Sequence, residues 1–166
     1  MRRAQFATDR RRRVTSPANV NANVQQYVCG FLFSPDRTCV LLIRKRRPAW
    51  QAGKLNGLGG KIEAGETALQ AMRREFREEA GADVAEWQHV LTLSGADDAG
   101  SGRAWAGHFF RAFGDVSAAR ATTDEALEVH PTENLPRDTI PNLRWMIPLM
   151  LDDEPVEGRY AVRVGG

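Results

Sequence analysis

Residues 55–84 of the chain read LNGLGGKIEAGETALQAMRREFREEAGADV, and the interpretation of the whole sequence starts from this stretch. Its glycine-rich first part is followed by helical periodicity, and we predict a helix that begins near Thr67 and ends at Gly81. Thr67 and Gln70 have the spacing of a capping box, and glycine is common at the left-handed position just beyond a helix. Apolar side chains that recur every three or four residues should face the core. They are Leu69, Met72, Phe76 and Ala80.

Three glutamates share one strip of this helix, beside its apolar face. Glu75 is followed by Glu78 and Glu79 three and four residues later. Like charges at this spacing repel each other, and the helix dipole disfavours negative charge in the C-terminal half. One interpretation is a solvated face on which Arg74 pairs with Glu78. The other is a metal site, because carboxylates beside free backbone carbonyls are the hard oxygen ligands that Mg²⁺ or Mn²⁺ requires. The neighbouring glycine turn favours the metal site.

The spacing of these residues also matches a known family pattern. Gly60 is followed by five residues and Glu66, then by seven residues and the run REFREEAG at 74–81. This resembles the Nudix box of Nudix hydrolases, G-x5-E-x7-R-E-U-x-E-E-x-G-U, where U is a bulky aliphatic residue. Every fixed position matches. The two U positions depart from the pattern, since Phe76 is larger than usual and Ala82 is smaller.

The resemblance covers roughly residues 25–151 and implies an α/β/α sandwich with a mixed sheet between helices. It also implies hydrolysis of the pyrophosphate linkage of nucleoside di- or triphosphates or related nucleoside diphosphate derivatives, with Mg²⁺ as cofactor or Mn²⁺ in its place. The three glutamates would then ligate the metal together with the carbonyl of Gly59 or Gly60. Arg74 would orient the carboxylates, and Glu66 would brace the loop. The resemblance leaves open which carboxylate acts as the general base.

A further carboxylate from outside the box is expected to complete such a site. Asp124 and Glu125 precede a strand-like segment, at the place where MutT-like members carry this acid. We choose Glu125. Glu128 and Glu133 are the alternatives, and ordinary surface charge is the competing interpretation for all three.

A second resemblance points to the MutT-like members that destroy oxidised purine triphosphates. Residues 55–61 resemble their Asn-Gly-x-Gly-Gly-Lys stretch, which makes Asn56 a candidate base contact. Residues 141–148, PNLRWMIP, resemble the segment where those enzymes hold the base. Two adjacent acids read the purine edge there, whereas this chain has Asn142 and Leu143. The resemblance therefore favours the broad nucleotide class without the oxidised-purine specificity.

Basic residues lie on both sides of the glycine turn, at 44–47, Lys54 and Lys61. They could serve solubility only, or they could hold the phosphates of an anionic substrate. Both interpretations stay open. The candidate substrate-binding residues are Asn56, Arg44, Lys54, Lys61 and Asn142.

Composition is that of an ordinary globular domain, with 166 residues, 42% apolar and 27% charged. No apolar run approaches the roughly 20 residues of a membrane span, so no membrane partner is expected. Cys29 and Cys39 have no metal-ligand spacing and should be reduced, which favours a cytoplasmic address. The three histidines form no i,i+4 pair, and we do not expect a zinc site.

The first 23 residues differ from the rest of the chain. Residues 1–13 hold six arginines and one aspartate, a local charge of +5, whereas the whole chain carries +2. We predict a mobile basic arm over 1–23 and a single domain over 24–166. A transit peptide, a nucleic-acid contact and a tail without a role are the three interpretations of the arm, and the last is favoured. The expected partner is therefore a nucleotide, and a homodimer is compatible with the sequence.

Hydrophobic patterns outside the glycine turn and its helix predict a sheet and a second helix. A hairpin should join two strands through the turn at 34–37, and a late apolar segment should form a short helix against the sheet. The predicted strands are 24–33, 39–43, 87–93, 103–113, 126–129 and an edge strand at 160–164, and the late helix starts at Pro141.

Two other functions fit the same family resemblance. One is a non-catalytic module that senses a nucleotide such as ADP-ribose, and the other is a pyrophosphohydrolase that acts on RNA caps. Sensing modules often lose acids of the box, whereas this chain retains all of them. The intact box therefore favours the enzyme.

Overall fold

The computed structural model describes residues 24–96 and 104–153 of the chain. The arm predicted at 1–23 and the strand predicted at 160–164 lie outside these residues. The elements within them are β1 (Gln25–Phe33), β2 (Cys39–Arg44), β3 (Leu55–Asn56), α1 (Ala68–Ala80), β4 (Gln88–Ala96), β5 (Ala104–Phe113), β6 (Ala126–Pro131) and α2 (Leu143–Leu151).

The strands form one mixed sheet in the order β3-β2-β1-β5-β4, with β6 paired to β2. β1 and β5 are parallel, whereas β2 is antiparallel to β1, β3 and β6, and β4 is antiparallel to β5. The predicted β1–β2 hairpin is confirmed, but its two strands pair only at Leu32–Leu41 and Phe33–Val40. Beyond these two pairs the strands separate, and the glycine turn takes the place beside β1.

Both faces of the central strands are buried, because each face of the sheet carries a helix. Alternate residues of the central strands point to opposite sides, as the period of a β-strand requires. The α1 face contains Val28, Leu32, Leu41, Ile43, Met72, Phe76 and Phe110, among others. The α2 face contains Phe31, Phe33, Val40, Leu42, Phe109, Leu143 and Met146, among others. The predicted α/β/α sandwich is therefore confirmed.

The predicted ends of α1 are confirmed, whereas one member of its apolar stripe is wrong. Thr67 and Gln70 form the reciprocal capping box, and Gly81 has the left-handed φ of 60°. Leu69 is 37% exposed, whereas Ala71, which was not part of the predicted stripe, is buried. Periodicity gives the direction of a side chain around the helix axis, but it does not say whether the sheet extends beneath the first turn.

The second helix begins at Leu143, two residues later than predicted, and it includes Pro148. Cys29 and Cys39 lie in the paired strands β1 and β2, and both are free thiols. No helix in the described part of the chain is both long and apolar enough to cross a bilayer.

Candidate active site

The glycine turn is fixed to the edge of β1 by backbone hydrogen bonds. The Val28 N–H donates to the Gly60 carbonyl at 2.9 Å, and Gly30 and Leu58 exchange a pair of bonds at 2.7 and 3.0 Å. Gly59 has a φ of +143°, and a Cβ there would overlap the Val28 carbonyl. Only glycine lets the turn approach β1 so closely. Within the described ranges no donor reaches the Gly59 carbonyl, which leaves that oxygen, more than the Gly60 oxygen, available as a ligand.

Two of the three helix glutamates lie against this turn. Glu79 is 8% exposed, and its Oε2 accepts a hydrogen bond from the Gly59 N–H at 2.8 Å. The Glu75 carboxylate occupies the space that a Cβ at Gly60 would need. Glu78 points outward, with its side chain 59% exposed. The structure thus places Glu75 and Glu79 beside the glycine carbonyls, and Glu78 at the rim.

Arg74 connects the glutamates with the residues that follow the turn. Its Nε and Nη2 donate to the two carboxylate oxygens of Glu66 at 2.7 and 2.9 Å. Its Nη1 lies 3.0 Å from Glu75 Oε1 and 3.1 Å from Glu78 Oε2, and Nη2 also donates to the Lys61 carbonyl at 3.0 Å. The hydrogen bonds from Arg74 hold the pKa of Glu66 at about 2. One guanidinium therefore fixes three carboxylates relative to the turn.

Lys45 is a member of this cluster that the sequence interpretation missed. Its Nζ lies 2.6 Å from Glu125 Oε2 and 3.4 Å from Glu79 Oε1. Glu125, which is 6% exposed, also accepts a hydrogen bond from the Arg46 N–H at 2.6 Å. Strand alternation explains the position of Lys45: Ile43 packs into the α1 face, so the side chain two residues later points to the same face. This alternation was the signal in the sequence that could have found it.

Arg44 and Glu128, in contrast, lie on the other face of the sheet. Arg44 lies two residues after Leu42 in β2, so its side chain points to the same face, and Leu42 belongs to the α2 core. Glu128 is the cross-strand partner of Leu42 and shares that face. The guanidinium of Arg44 pairs with Glu128 and with Asp138. The structure therefore does not bring the candidate Arg44 or the alternative carboxylate Glu128 to the α1 cluster.

The remaining candidates have separate surroundings. Asn56 accepts a hydrogen bond from the Gly57 N–H at 2.8 Å and donates to Gln51 Oε1 at 3.1 Å. Asn142 Nδ2 donates to Met146 Sδ at 3.3 Å, and its buried Oδ1 has no partner in the described residues. The other three candidate side chains are exposed, and they are Lys54, Lys61 and Glu133.

Burial and the cations set the charge state of the cluster. Burial raises the pKa of Glu79 to about 7, although Lys45 and the Gly59 N–H oppose the shift. Burial also raises the pKa of Glu75, against the effect of Arg74. For Glu125, burial acts in the same direction, but the hydrogen bonds from Lys45 and the Arg46 N–H outweigh it and the pKa is lowered. The cluster therefore concentrates negative charge at low exposure and balances it with two cations.

The donor set has the chemistry that a divalent hard cation requires. Carboxylates from 75, 78, 79 and 125 and the Gly59 carbonyl are all oxygen ligands, which Mg²⁺ and Mn²⁺ prefer. Within residues 24–96 and 104–153, no three acidic, histidine or cysteine side chains converge as metal ligands. Arg74 and Lys45 engage the carboxylate oxygens that an ion would need, since Arg74 contacts Glu75 and Glu78 and Lys45 contacts Glu79 and Glu125. The residues fit Mg²⁺ by chemistry, and their side chains would have to rotate to bind it.

A cavity of about 520 Å³ adjoins the cluster at Lys45. Three cationic residues and one acidic residue line it, and each of the three cations is paired with at least one carboxylate. The lining residues are Arg44, Lys45, Arg46, Ala52, Gly53, Asp124 and Ala126.

Comparison with known proteins identifies relatives of the chain. A protein of Mus musculus described as an oxidized purine nucleoside triphosphate hydrolase is 30% identical over 139 residues, which cover 81% of this chain and 84% of that protein. A protein of Danio rerio with the same description is 56% identical over 45 residues, and the match spans only 28% of that relative's length. The crystal structure of the MutT NUDIX hydrolase from Burkholderia pseudomallei has a TM-score of 0.62 at 23% identity, covering 75% of this chain and 98% of that chain.

The family assignment agrees with the geometry. The pattern of the family described as NUDIX domain matches residues 24–153, a range that includes the glycine turn, α1, Lys45 and Glu125. The chain belongs to the NUDIX family.

Proposed function

We propose that the protein is a Nudix pyrophosphohydrolase, which hydrolyses the pyrophosphate linkage of nucleoside di- or triphosphates or related nucleoside diphosphate derivatives. Mg²⁺ is the proposed cofactor, and Mn²⁺ is its substitute. The observation that carries the proposal is the packing of the half-buried Glu75 and the buried Glu79 against a glycine turn that leaves the Gly59 carbonyl free. The buried Glu125 joins them through Lys45. Family membership and the described activity of the mouse relative support the same reaction.

The residues have distinct tasks in this reaction. A polyphosphate is strongly anionic, and bound Mg²⁺ supplies the positive charge that neutralises it and holds the attacking and leaving oxygens in line. Glu75, Glu78 and Glu79 with the Gly59 carbonyl would hold the ion, and Glu125 completes the set from outside α1. Arg74 keeps the first two carboxylates oriented through the contacts at 3.0 and 3.1 Å.

The substrate class is tested with a nucleotide panel. Purified protein is mixed with Mg²⁺ and ordinary purine and pyrimidine nucleoside triphosphates, their oxidised purine counterparts and nucleoside diphosphate derivatives, and release of phosphate or pyrophosphate is measured. We expect turnover in this panel without a requirement for an oxidised purine, because the position of the adjacent acids holds Asn142 and Leu143. Tight binding without turnover in Mg²⁺ or Mn²⁺ would favour a sensing module over an enzyme.

Glu78 gives the sharpest mutational test. Its side chain is 59% exposed, so its replacement by glutamine does not disturb the core. We expect Glu78→Gln to lower kcat by at least about two powers of ten, the scale of a lost catalytic carboxylate or metal ligand. Glu86→Gln, at an exposed position outside the cluster, is the matched control and should keep wild-type turnover. Near-normal kcat in Glu78→Gln would remove the proposed site.

A further inference from the structure

The ammonium group of Lys45 occupies a central place among the carboxylates. It contacts Glu125 at 2.6 Å and Glu79 at 3.4 Å, and the side chains of these three residues are only 14%, 7% and 11% exposed in the order Lys45, Glu125, Glu79. Buried acids of this kind repel each other unless a cation lies between them. Lys45 therefore supplies positive charge between Glu79 and Glu125.

Both carboxylates that Lys45 contacts have all their oxygens engaged. Glu79 uses Oε1 for Lys45 and Oε2 for the Gly59 N–H. Glu125 uses Oε2 for Lys45 and Oε1 for the Arg46 N–H. The N–H donors are fixed by the backbone, whereas the lysine contacts are made by a flexible side chain. A divalent ion that takes an oxygen from either glutamate would take it most readily from Lys45.

The position of Lys45 allows this exchange. Its main chain is held by the β2–β3 connection, because the Lys45 N–H donates to the Lys54 carbonyl at 2.9 Å and the Gly53 N–H donates to the Lys45 carbonyl at 2.8 Å. Only its four-carbon side chain has to move. Lys45 also lines the cavity of about 520 Å³ together with Arg44 and Arg46, so a released ammonium has a space beside the cluster to enter.

We propose that Lys45 is a built-in counter-ion of the metal-free site, which gives up Glu79 and Glu125 when a divalent cation is bound and turns its ammonium toward the anionic substrate in the adjoining cavity. Its second half, the contact with substrate, rests on the proposed function. The first half concerns metal binding alone. Lys45 is thus a positioning residue before metal binding and a substrate-binding residue after it.

Metal affinity measures the first half directly. Mn²⁺ alone is titrated into the full chain at pH 8, and free Mn²⁺ is followed by electron paramagnetic resonance. We expect Lys45→Met to bind Mn²⁺ about tenfold more tightly than wild type, because the ion no longer competes with an internal cation. Arg47→Met is the matched control: it removes the same charge, but Arg47 pairs with the exposed Asp124, and its Mn²⁺ affinity should stay within about twofold of wild type. Equal or weaker binding by Lys45→Met would overturn the proposal.

A second measurement uses the wild-type chain and does not depend on how well the variant folds. Surface amines are labelled with an acylating reagent with and without Mg²⁺, and the modified lysines are quantified by mass spectrometry. Release of the ammonium should raise labelling of Lys45 by about threefold or more, while Lys54, which is already exposed in the structure, should change little. Unchanged or reduced labelling of Lys45 in Mg²⁺ would show that the lysine stays on the carboxylates and would contradict the exchange.

The proposed contact between Lys45 and the substrate is tested by steady-state kinetics, and its failure can be told apart from failure of the proposed function. If the nucleotide panel shows turnover, Lys45→Met should raise KM by about tenfold with a smaller change in kcat, since the lost group binds phosphate in ground and transition states alike. A variant with wild-type KM would overturn the substrate contact. If no nucleotide is hydrolysed but the Mn²⁺ and labelling results hold, the proposed function fails and the counter-ion exchange stands. Absence of Mn²⁺ binding to both wild type and Lys45→Met would overturn both.

Discussion

At the scale of single residues, Glu79 is a buried carboxylate whose pKa is shifted strongly upward. Burial raises its pKa from the ordinary 4.5 to about 7, so the folded protein holds a proton on Glu79 more tightly than the unfolded chain does. Well below pH 4.5 the group is protonated in both states, and folding buries no charge on it. As the pH rises toward 7 the unfolded chain loses this proton first, and the folded state becomes relatively less stable.

The expected loss of stability as the pH rises gives a prediction for Glu79→Gln, because the glutamine side chain does not ionise. With EDTA present, we expect the free energy of unfolding of the variant to rise relative to wild type by about 2–3 kcal/mol between pH 4.5 and pH 8. Urea unfolding at several pH values measures the difference. Glu86→Gln, at an exposed position, should show no such trend. A constant difference between Glu79→Gln and wild type across this range would mean that Glu79 has an ordinary pKa.

The sequence predicted part of the site at this scale, and the missing part has a physical reason. The spacing of Glu75, Glu78 and Glu79 indicated one strip of a helix, because neighbours on a helix are set by the local repeat. Strand alternation could give the face on which Lys45 lies, but not its partners, because these lie 34 and 80 residues away in sequence. Such contacts depend on how the strands pair, and a charge pattern alone does not contain that information.

At the scale of elements, the glycine turn positions the site by replacing β2 at the edge of β1. Gly59 combines a φ of +143° with no room for a Cβ next to the Val28 carbonyl, whereas Gly65 has a φ of +87° and open space around it. A side chain at either position would be strained by the positive φ. Only at Gly59 would its Cβ also overlap backbone atoms of β1.

Alanine at each position should separate the two effects. We expect Gly65→Ala to lower the free energy of unfolding by about 1 kcal/mol through strain, and Gly59→Ala to lower it by about 3 kcal/mol or more. Gly59→Ala should also weaken Mn²⁺ binding, because the turn has to move away from β1 and takes its carbonyl with it. Chemical denaturation and Mn²⁺ titration check both effects. Equal destabilisation by the two substitutions would argue against close docking of the turn.

The second helix is fastened to the sheet at its C-terminal end by a buried arginine. Arg111 in β5 is 9% exposed, and its Nη1 donates to the carbonyls of Met150 and Asp152, both at 2.6 Å. A cation at this end of a helix also interacts favourably with the helix dipole. Arg37 contacts the same end, since it donates to the Leu151 carbonyl at 3.3 Å.

Replacement of Arg111 should therefore loosen α2. We expect Arg111→Met to cost about 2–4 kcal/mol of unfolding free energy, because buried carbonyls lose a charged donor. Arg37→Met is the control, since Arg37 pairs with Asp153 at side-chain exposures of 42% and 72%, and it should cost about 1 kcal/mol or less. Denaturation gives the magnitudes, and hydrogen exchange at α2 amides shows where protection is lost. Similar costs for both variants would contradict a special role for Arg111.

The elements themselves were largely predictable, and the exceptions share a cause. The capping box and Gly81 gave the ends of α1, and apolar runs gave five of the strands, because these signals are local. β3 consists of only Leu55 and Asn56 and is too short for periodicity to indicate it. The pairing of the glycine turn with β1 was likewise not predicted, because it depends on β2 leaving β1 after two residue pairs.

At the scale of the whole molecule, the site belongs to one face of the sheet. α1, the end of β2 and the residue before β6 all contribute from the α1 side, and β2–β6 pairing over Cys39–Arg44 and Ala126–Pro131 brings Glu125 into place. A ligand that binds this arrangement and not the unfolded chain must stabilise the entire fold by RT ln(1 + [L]/Kd). Metal binding should therefore be visible in global unfolding.

The stabilisation by Mn²⁺ can test whether Glu125 is the ligand from outside α1, because the alternative acid Glu128 lies on the opposite face of the sheet. At a Mn²⁺ concentration about 100 times Kd, we expect the wild-type free energy of unfolding to rise by about 2.7 kcal/mol relative to EDTA. Glu125→Gln should lose most of this increment, because it removes an oxygen ligand on the α1 face. Glu128→Gln should keep the increment. This substitution does lower the stability of the protein with or without Mn²⁺, since it removes the partner of Arg44 on the opposite face. Comparing each variant with and without Mn²⁺ cancels that general cost. If Glu128→Gln loses the increment and Glu125→Gln keeps it, the pairing of β2 with β6 does not place the acid as described.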